Sequence, residues 1–229
     1  MSTTATIGIT TTAVGKKLLM AVSGIVLFSF LLVHMLGNLR LFVGPQSLND
    51  YAAFLKGTPA LLWTTRLALL ASALVHVTSA YQLWRANRRA RPVRYARLRY
   101  GATDYAARTM VVTGPIVACY LLYHLAHFTF GFTRGLGYAH APTDVYANVV
   151  ASFRLWPVAL LYTLANLGLG VHLYHGAWSL LQTLGIRHPR YHALLRGVAV
   201  AVGMAMVAGF VSVPLGVLAD HLGWMRLLP

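Results

Sequence analysis

Apolar residues crowd into five long runs along the chain, at about 17–43, 59–84, 107–131, 155–184 and 195–218. A helix needs ~20 mostly apolar residues to cross a hydrocarbon core, so each run predicts one membrane-spanning helix. Strings rich in glycine, proline and polar residues separate the runs: VGPQS, KGTP, RARPVR, TRGLG and GIRHPR. These are residue types that stop helices and make turns. Two intervening segments, SLNDYAAFLKG and APTDVYANVVASF, suit short interfacial helices. The prediction is an all-α bundle of five transmembrane helices forming one domain over residues 1–229. The leading string MSTTATIGITTTAVGKK has the look of a signal peptide. The run from Leu18 to Leu36 is too long for a signal h-region and no A-x-A site follows it, so it reads as a retained first helix.

Composition agrees with this pattern. The chain is 58% hydrophobic and 10% charged, with mean hydropathy +0.63, whereas a soluble domain is about a quarter charged. The single cysteine, Cys119, lies in an apolar run and reads as a small buried hydrophobe. One cysteine excludes an internal disulfide, a Cys-rich metal site and a C-x-x-C-H haem attachment.

Nineteen Lys and Arg face four carboxylates, all of them Asp. Such a balance can mark a nucleic-acid binder, but the basic residues fall in the gaps between apolar runs, which favours a topological role and no nucleic-acid partner. Lys16, Lys17, Arg85, Arg88, Arg89, Arg91, Arg94, Arg97, Arg99, Arg108, Arg187, Arg190 and Arg196 fall on one side. Only Arg40, Lys56, Arg66, Arg134, Arg154 and Arg226 fall on the other. The positive-inside rule then puts the N-terminus in the cytoplasm and the C-terminus outside, a parity that five helices satisfy. The arginines from 85 to 99 suit anionic lipid, and also a docking face for a cytoplasmic partner.

Six of the ten histidines lie inside the apolar runs: His34, His76, His124, His127, His172 and His175. Ionisable residues inside a membrane usually mark function. A lone one can serve as an interhelical hydrogen bond; four helices each carrying one favour a shared cofactor. Depth sorts them. His34 is ~25 Å along helix I from Lys17, and His124 ~24 Å along helix III from Arg108. His76 is only ~14 Å from Arg85 on helix II, and His172 and His175 lie within ~18–23 Å of Arg187 on helix IV. Spacing alone does not choose between these last two. Two levels, each with imidazoles on two helices, match two bis-histidine b-type haems stacked as an electron path.

Other metal chemistries fit less well. Di-iron bundles use glutamates, and this chain has none. A zinc site here would lack a carboxylate second shell, and a proton relay would want carboxylates beside the histidines. A faint repeat accompanies the ligands. SGIVLFSFLLVH leads to His34 and TGPIVACYLLYH to His124, each with a glycine, Gly24 or Gly114, ten residues before the histidine. Ten residues are ~15 Å of helix, which sets each glycine at the inner level. There it could admit a second porphyrin or simply serve small-residue helix packing.

Four strings, FLLVHMLGNLRLF, ALVHVTSAYQLW, TGPIVACYLLYH and HLYHGAWSLLQTLGI, occur in the order and at the intervals of a known family. The chain resembles the two-haem, five-helix cytochrome b membrane anchor of succinate dehydrogenases and fumarate reductases. The likeness covers nearly the whole chain. It implies haem-iron ligation by His34 and His124 at the outer haem b and by His76 and His172 at the inner one. The first histidine of the helix IV string is the family's ligand, which implies His172, with His175 and Gly176 close to the porphyrin edge; His127 stands similarly to His124. It further implies an FAD-containing flavoprotein subunit and an iron–sulfur subunit docked on the cytoplasmic face. Electrons from succinate would pass through the inner and outer haems to a quinone, commonly menaquinone, bound toward the outer side of a bacterial plasma membrane. Fumarate reduction is the same path reversed.

The chain departs from the family in places. Some relatives carry a glutamate near the outer quinone pocket, which is missing here; Asp50, just after helix I, is a candidate for proton exchange. Polar groups that hold inner propionates in some relatives fall on Met20, Ala21 and Thr183, so Arg85 and Arg108 become candidates at that level. Rival readings are a cytochrome b anchor of a nitrate reductase, hydrogenase or ferric reductase type, and a haem-free transporter or structural assembly subunit.

Overall fold

Residues 8–90, 105–186 and 188–229 are described by the computed structural model. Arg91, Arg94, Arg97, Arg99 and Arg187 of the charge pattern lie outside the described residues. The described chain is helical throughout its length apart from its connections. The order is α1 (Ala13–Leu39), α2 (Pro45–Lys56), α3 (Pro59–Arg89), α4 (Tyr105–His124), α5 (Val145–Phe153), α6 (Trp156–Thr183) and α7 (His192–His221). A 3₁₀ turn, Arg40–Phe42, extends α1, and another, Pro189–Tyr191, leads into α7. Directly after α4 the chain makes a five-residue π-helical segment, Leu125–Thr129. Among the described residues five helices are long and apolar enough to cross a membrane, which is the architecture of a polytopic membrane protein. The two short segments between runs form α2 and α5.

The helix ends differ from the predicted ones for local reasons. α1 starts at Ala13 because the Thr12 hydroxyl caps it, accepting the Gly15 N–H, as N-cap threonines do. Lys16 and Lys17 therefore ride on its first turns. Pro45 and Pro59 open α2 and α3, where the missing N–H costs nothing. α3 runs past residue 84 to Arg89. Its arginines lie over aromatic rings four residues back: Arg85 over Tyr81 at 5.7 Å and Arg88 over Trp84 at 5.1 Å. Such i,i+4 cation–π pairs let the last turns of a spanning helix carry charge.

The bundle divides into two halves. α1 packs on α3, while α4 packs on α6 and α6 on α7 over the longest contact in the molecule. The halves meet where α1 lies along α7 and α6. The α6–α7 crossing depends on two glycines. A Cβ at Gly170 would fall 2.0 Å from Val207 Cγ2, and one at Gly203 would fall 3.1 Å from Tyr174 Cβ and 3.3 Å from the Gly170 carbonyl oxygen. This is the close backbone approach by which membrane helices associate. Gly209 likewise receives Met35 from α1. One buried cluster, including Leu41, Phe153, Ala159, Tyr162 and Val217, fills the end of the bundle that carries α2 and α5. A second, of Met35, Leu169, Met206 and Phe210, lies at the α1–α6–α7 junction. Elsewhere the helices present bare apolar side chains: Leu67, Leu70, Leu74 and Val77 of α3 are more than half exposed, as expected of a face turned to lipid.

Cys119 corrects its expectation: it is exposed on α4. It lies on the outward side of α4, whose other side carries Tyr120 and His124.

Candidate functional site

The two ends of the bundle are here the arginine end, where α1 begins, α3 finishes and α4 begins, and the loop end, which carries α2 and α5. Two pairs of histidine rings cross the interior, one nearer each end.

The loop-end pair is His34 on α1 and His124 on α4, with ring centroids 5.8 Å apart and planes at 80°. Aromatic rings wall it. Phe30 stacks on His34 at 5.3 Å and Phe210 approaches at 6.2 Å, while Tyr120, Phe128 and Tyr162 lie 5.7–6.0 Å from His124. The arginine-end pair is His76 on α3 and His172 on α6, with centroids 6.3 Å apart. Its neighbours are small and polar. His76 Nδ1 lies 3.2 Å from the Met20 carbonyl oxygen and 3.4 Å from Ser23 Oγ. A carbonyl only accepts, so Nδ1 carries the proton and the Nε2 lone pair of the neutral ring is free to bind elsewhere. Ser23 itself is buried and donates back to Leu19.

The repeat of Gly24 and Gly114 has a counterpart in space. Gly24, on the helix of His34, lies against His76; a Cβ there would sit 3.5 Å from the His76 Cε1. Gly114, on the helix of His124, lies against His172, with the corresponding distance 4.0 Å. Both are ordinary contacts. Unlike Gly170 or Gly209, these two glycines are not demanded by the packing of protein atoms.

In both pairs the rings join helices that otherwise barely meet: among the described residues neither α1 with α4 nor α3 with α6 shares an extended contact. An ion bonded in line to one nitrogen of each ring, at about 2 Å per bond, would hold the centroids roughly 6 Å apart. The buried Nδ1 atoms of His124 and His172 have no hydrogen-bond partner among the described residues, an arrangement that costs free energy in a dry interior. The His76–Met20 bond is the kind of outer-shell contact that orients a ligating imidazole. Among the described residues no three His, Cys, Asp or Glu side chains come together as a metal-binding group. Among the described residues each site therefore offers two imidazoles and no third donor of these kinds. Two imidazoles would suffice for a haem iron, which histidines of this kind hold in b-type cytochromes.

The remaining candidates have separate surroundings. His127 is buried, and both its ring nitrogens are engaged: Nδ1 with the Tyr162 hydroxyl at 3.0 Å, Nε2 with the Tyr138 hydroxyl at 2.9 Å and Ser152 Oγ at 3.3 Å. It sits in the π-helical segment, in a hydroxyl cluster of its own. Burial raises the Tyr138 phenol above its ordinary value, opposed by the hydrogen bond with Ser152. His175 is half-buried on α6 beside Gly176, where an added Cβ meets nothing within 4 Å. Arg85 and Arg108 are exposed at the arginine end, Arg85 over Tyr81. Asp50 is exposed on α2, its carboxylate accepting from the Gln46 amide. Next to it, Tyr51 lines a groove of about 200 Å³ with Val33, Leu36, Gly37 and Arg40. Sequence reasoning missed Tyr162, Tyr138 and Ser152, which meet His127 across long sequence separations, and the Met20 carbonyl, a main-chain group with no sequence signature.

No family model matches the chain, and neither does any curated protein or solved structure.

Proposed function

We propose that this chain is the haem-b membrane anchor of a succinate:quinone oxidoreductase of the succinate dehydrogenase or fumarate reductase kind. The observation that carries the reading is the pair of two-ring histidine sites at two depths, each spanning helices that otherwise barely meet. His34 and His124 would hold one haem b, and His76 and His172 the other. When bound, each haem supplies one-electron redox chemistry at an iron tuned by burial and hydrogen bonding.

The residues of the chain have definable tasks in that role. Met20 and Ser23 fix the His76 ring and leave its Nε2 available. Gly24 and Gly114 keep side-chain bulk out of the arginine-end site. The ring wall around His34 and His124 excludes water from the loop-end site. By the positive-inside rule the arginine end faces the cytoplasm of a bacterial cell, and there the flavoprotein and iron–sulfur subunits dock. A quinone, menaquinone in this reading, exchanges electrons toward the outer side, where the Arg40–Tyr51 groove and Asp50 lie.

The test is a reduced-minus-oxidised spectrum of the purified intact protein, followed by co-purification from its native membrane. A b-type band, flavin and iron–sulfur subunits in the same complex, and succinate–quinone activity are expected. A colourless protein would sink the reading. A b-type band with a different enzyme attached would move the chain to the anchor of a nitrate reductase, hydrogenase or ferric reductase.

A further inference from the structure

His127 is one of two histidines within the membrane runs that the ligand sets leave unused, and both of its ring nitrogens are held. Its ring is 1% exposed. Tyr162 holds Nδ1 from α6; Tyr138 of the following loop and Ser152 of α5 hold Nε2. Tyr138 and Ser152 also bond each other, and Ser152 donates to the Asn148 carbonyl at 2.6 Å. His127, Tyr138 and Ser152 close a ring of hydrogen bonds that joins the π segment, the following loop and α5.

Two further observations give this cluster a direction. First, the backbone under His127 is π-helical from Leu125 to Thr129. A π segment sets successive side chains about the axis differently from an α-helix, and such segments recur at functional sites. Here one histidine of a three-apart pair faces the other ring across the bundle, and the second is held by α5, α6 and the loop. Second, Tyr162 is shared. Its hydroxyl is bonded to His127, and its ring lies edge-on to His124 at 6.0 Å and to Tyr120 at 5.3 Å. Tyr162 is 3% exposed, so neither its ring nor its hydroxyl has room to swing without moving the other.

We propose that His127 is a positioning residue: anchored by Tyr138 and Ser152, it holds the Tyr162 ring against His124 and so ties the loop between α4 and α5 to the loop-end histidine pair. The importance of that pair rests on the function proposed above; the mechanical link does not. Buried hydrogen-bonded networks of this kind make orientation specific when every member is satisfied.

The experiment uses the full chain, reduced, with ¹⁵N-labelled histidine, and reads the ring-nitrogen signals of His124 and His172 by NMR. His127→Phe removes both anchors, and Tyr138→Phe removes the loop anchor while Ser152 remains within reach. Both substitutions are expected to shift the His124 signals and leave those of His172 in place, the first more than the second. Tyr162→Phe, which keeps the ring but loses the hydroxyl, is expected to match His127→Phe. Redox titration of the same variants should move the potential of one b-type centre only. Unchanged His124 signals, or equal shifts at His124 and His172, would overturn the proposal. If His127→Phe does not fold, Tyr138→Phe and Tyr162→Phe decide alone. Absence of any haem band would defeat the functional reading, and the NMR comparison would still decide this one.

Discussion

The two histidine pairs span similar gaps with opposite materials. Around His34 and His124 the walls are aromatic: Phe30, Phe210, Tyr120, Phe128 and Tyr162. Around His76 and His172 they are two glycines, a serine and a main-chain carbonyl. The first site is shaped by side-chain packing and the second by the removal of side chains. The first site is apolar and ring-lined, and in the second a hydrogen bond sets the His76 tautomer. A bis-histidine cofactor at each level would meet two different electrostatic environments.

The sharpest way to break this comparison is to remove one ring at a time. His34→Ala and His124→Ala should each cost about half of the bound haem and delete the same spectral component, and His76→Ala and His172→Ala should delete the other. Loss of one component by both His34→Ala and His76→Ala would dissolve the two-site picture.

The glycines offer the next test. Gly24→Ala and Gly114→Ala introduce no clash with protein atoms, so the bundle should hold or gain about 0.5–1 kcal/mol of helix stability. The added methyl should nevertheless crowd the arginine-end group, at about 1–3 kcal/mol of binding. Gly170→Ala should do the reverse, loosening the α6–α7 contact by about 1–3 kcal/mol and affecting both components alike. Thermal unfolding followed at both haem bands would read these arms together.

Ser23→Ala is milder. His76 keeps its bond to Met20, and the loss is about 1 kcal/mol, seen as a shifted potential at the arginine-end centre only. An unmoved potential there would show that the Met20 carbonyl alone sets the His76 ring.

The smallest effect is expected at Asp144, which accepts from the Ala147 N–H and the Asn49 amide. These bonds hold its carboxyl below the usual value of 3.8. Its contribution is therefore complete above pH 3.8 and is lost as the pH falls through the lower folded value. Asp144→Ala should fray α5 by about 0.5–1 kcal/mol with neither haem band altered, as hydrogen exchange at residues 145–153 would report. A change in the loop-end band would mean that fraying at Asp144 travels along α5 to Ser152 and on to His127 and Tyr162.

Much of this layout was legible in the chain. Run length predicts the five long helices, because a hydrocarbon core demands about 20 apolar residues. Counting residues from Lys17 and Arg108 puts His34 level with His124, and the same two rings meet in the fold. Other features had no local signal. Glycines look alike in a sequence, yet Gly170 is required by Val207 whereas Gly24 has room to spare. The π segment after His124 coincides with the buried bonds of His127 to Tyr162, Tyr138 and Ser152, partners that the string LAHFT does not name. Cys119 was misjudged because an apolar run does not reveal which side of a helix faces inward. The choice of His172 over His175 depended on resemblance, and His172 is the one whose ring meets His76.

The two halves of the bundle have a consequence for biosynthesis. α1 and α3 lie in one half, and α4, α6 and α7 in the other. Each histidine pair takes one ring from each half, so the loop-end pair cannot form until α4 has left the ribosome, nor the arginine-end pair until α6 has. The N-terminal hairpin must wait in the membrane with two unmatched rings. A group held by either pair would join one ring of each half, beside the direct contacts of α1 with α6 and α7. Co-expressed fragments divided between Ala90 and Tyr105 would each carry one member of both pairs, and cofactor capture would become a direct measure of their reassembly.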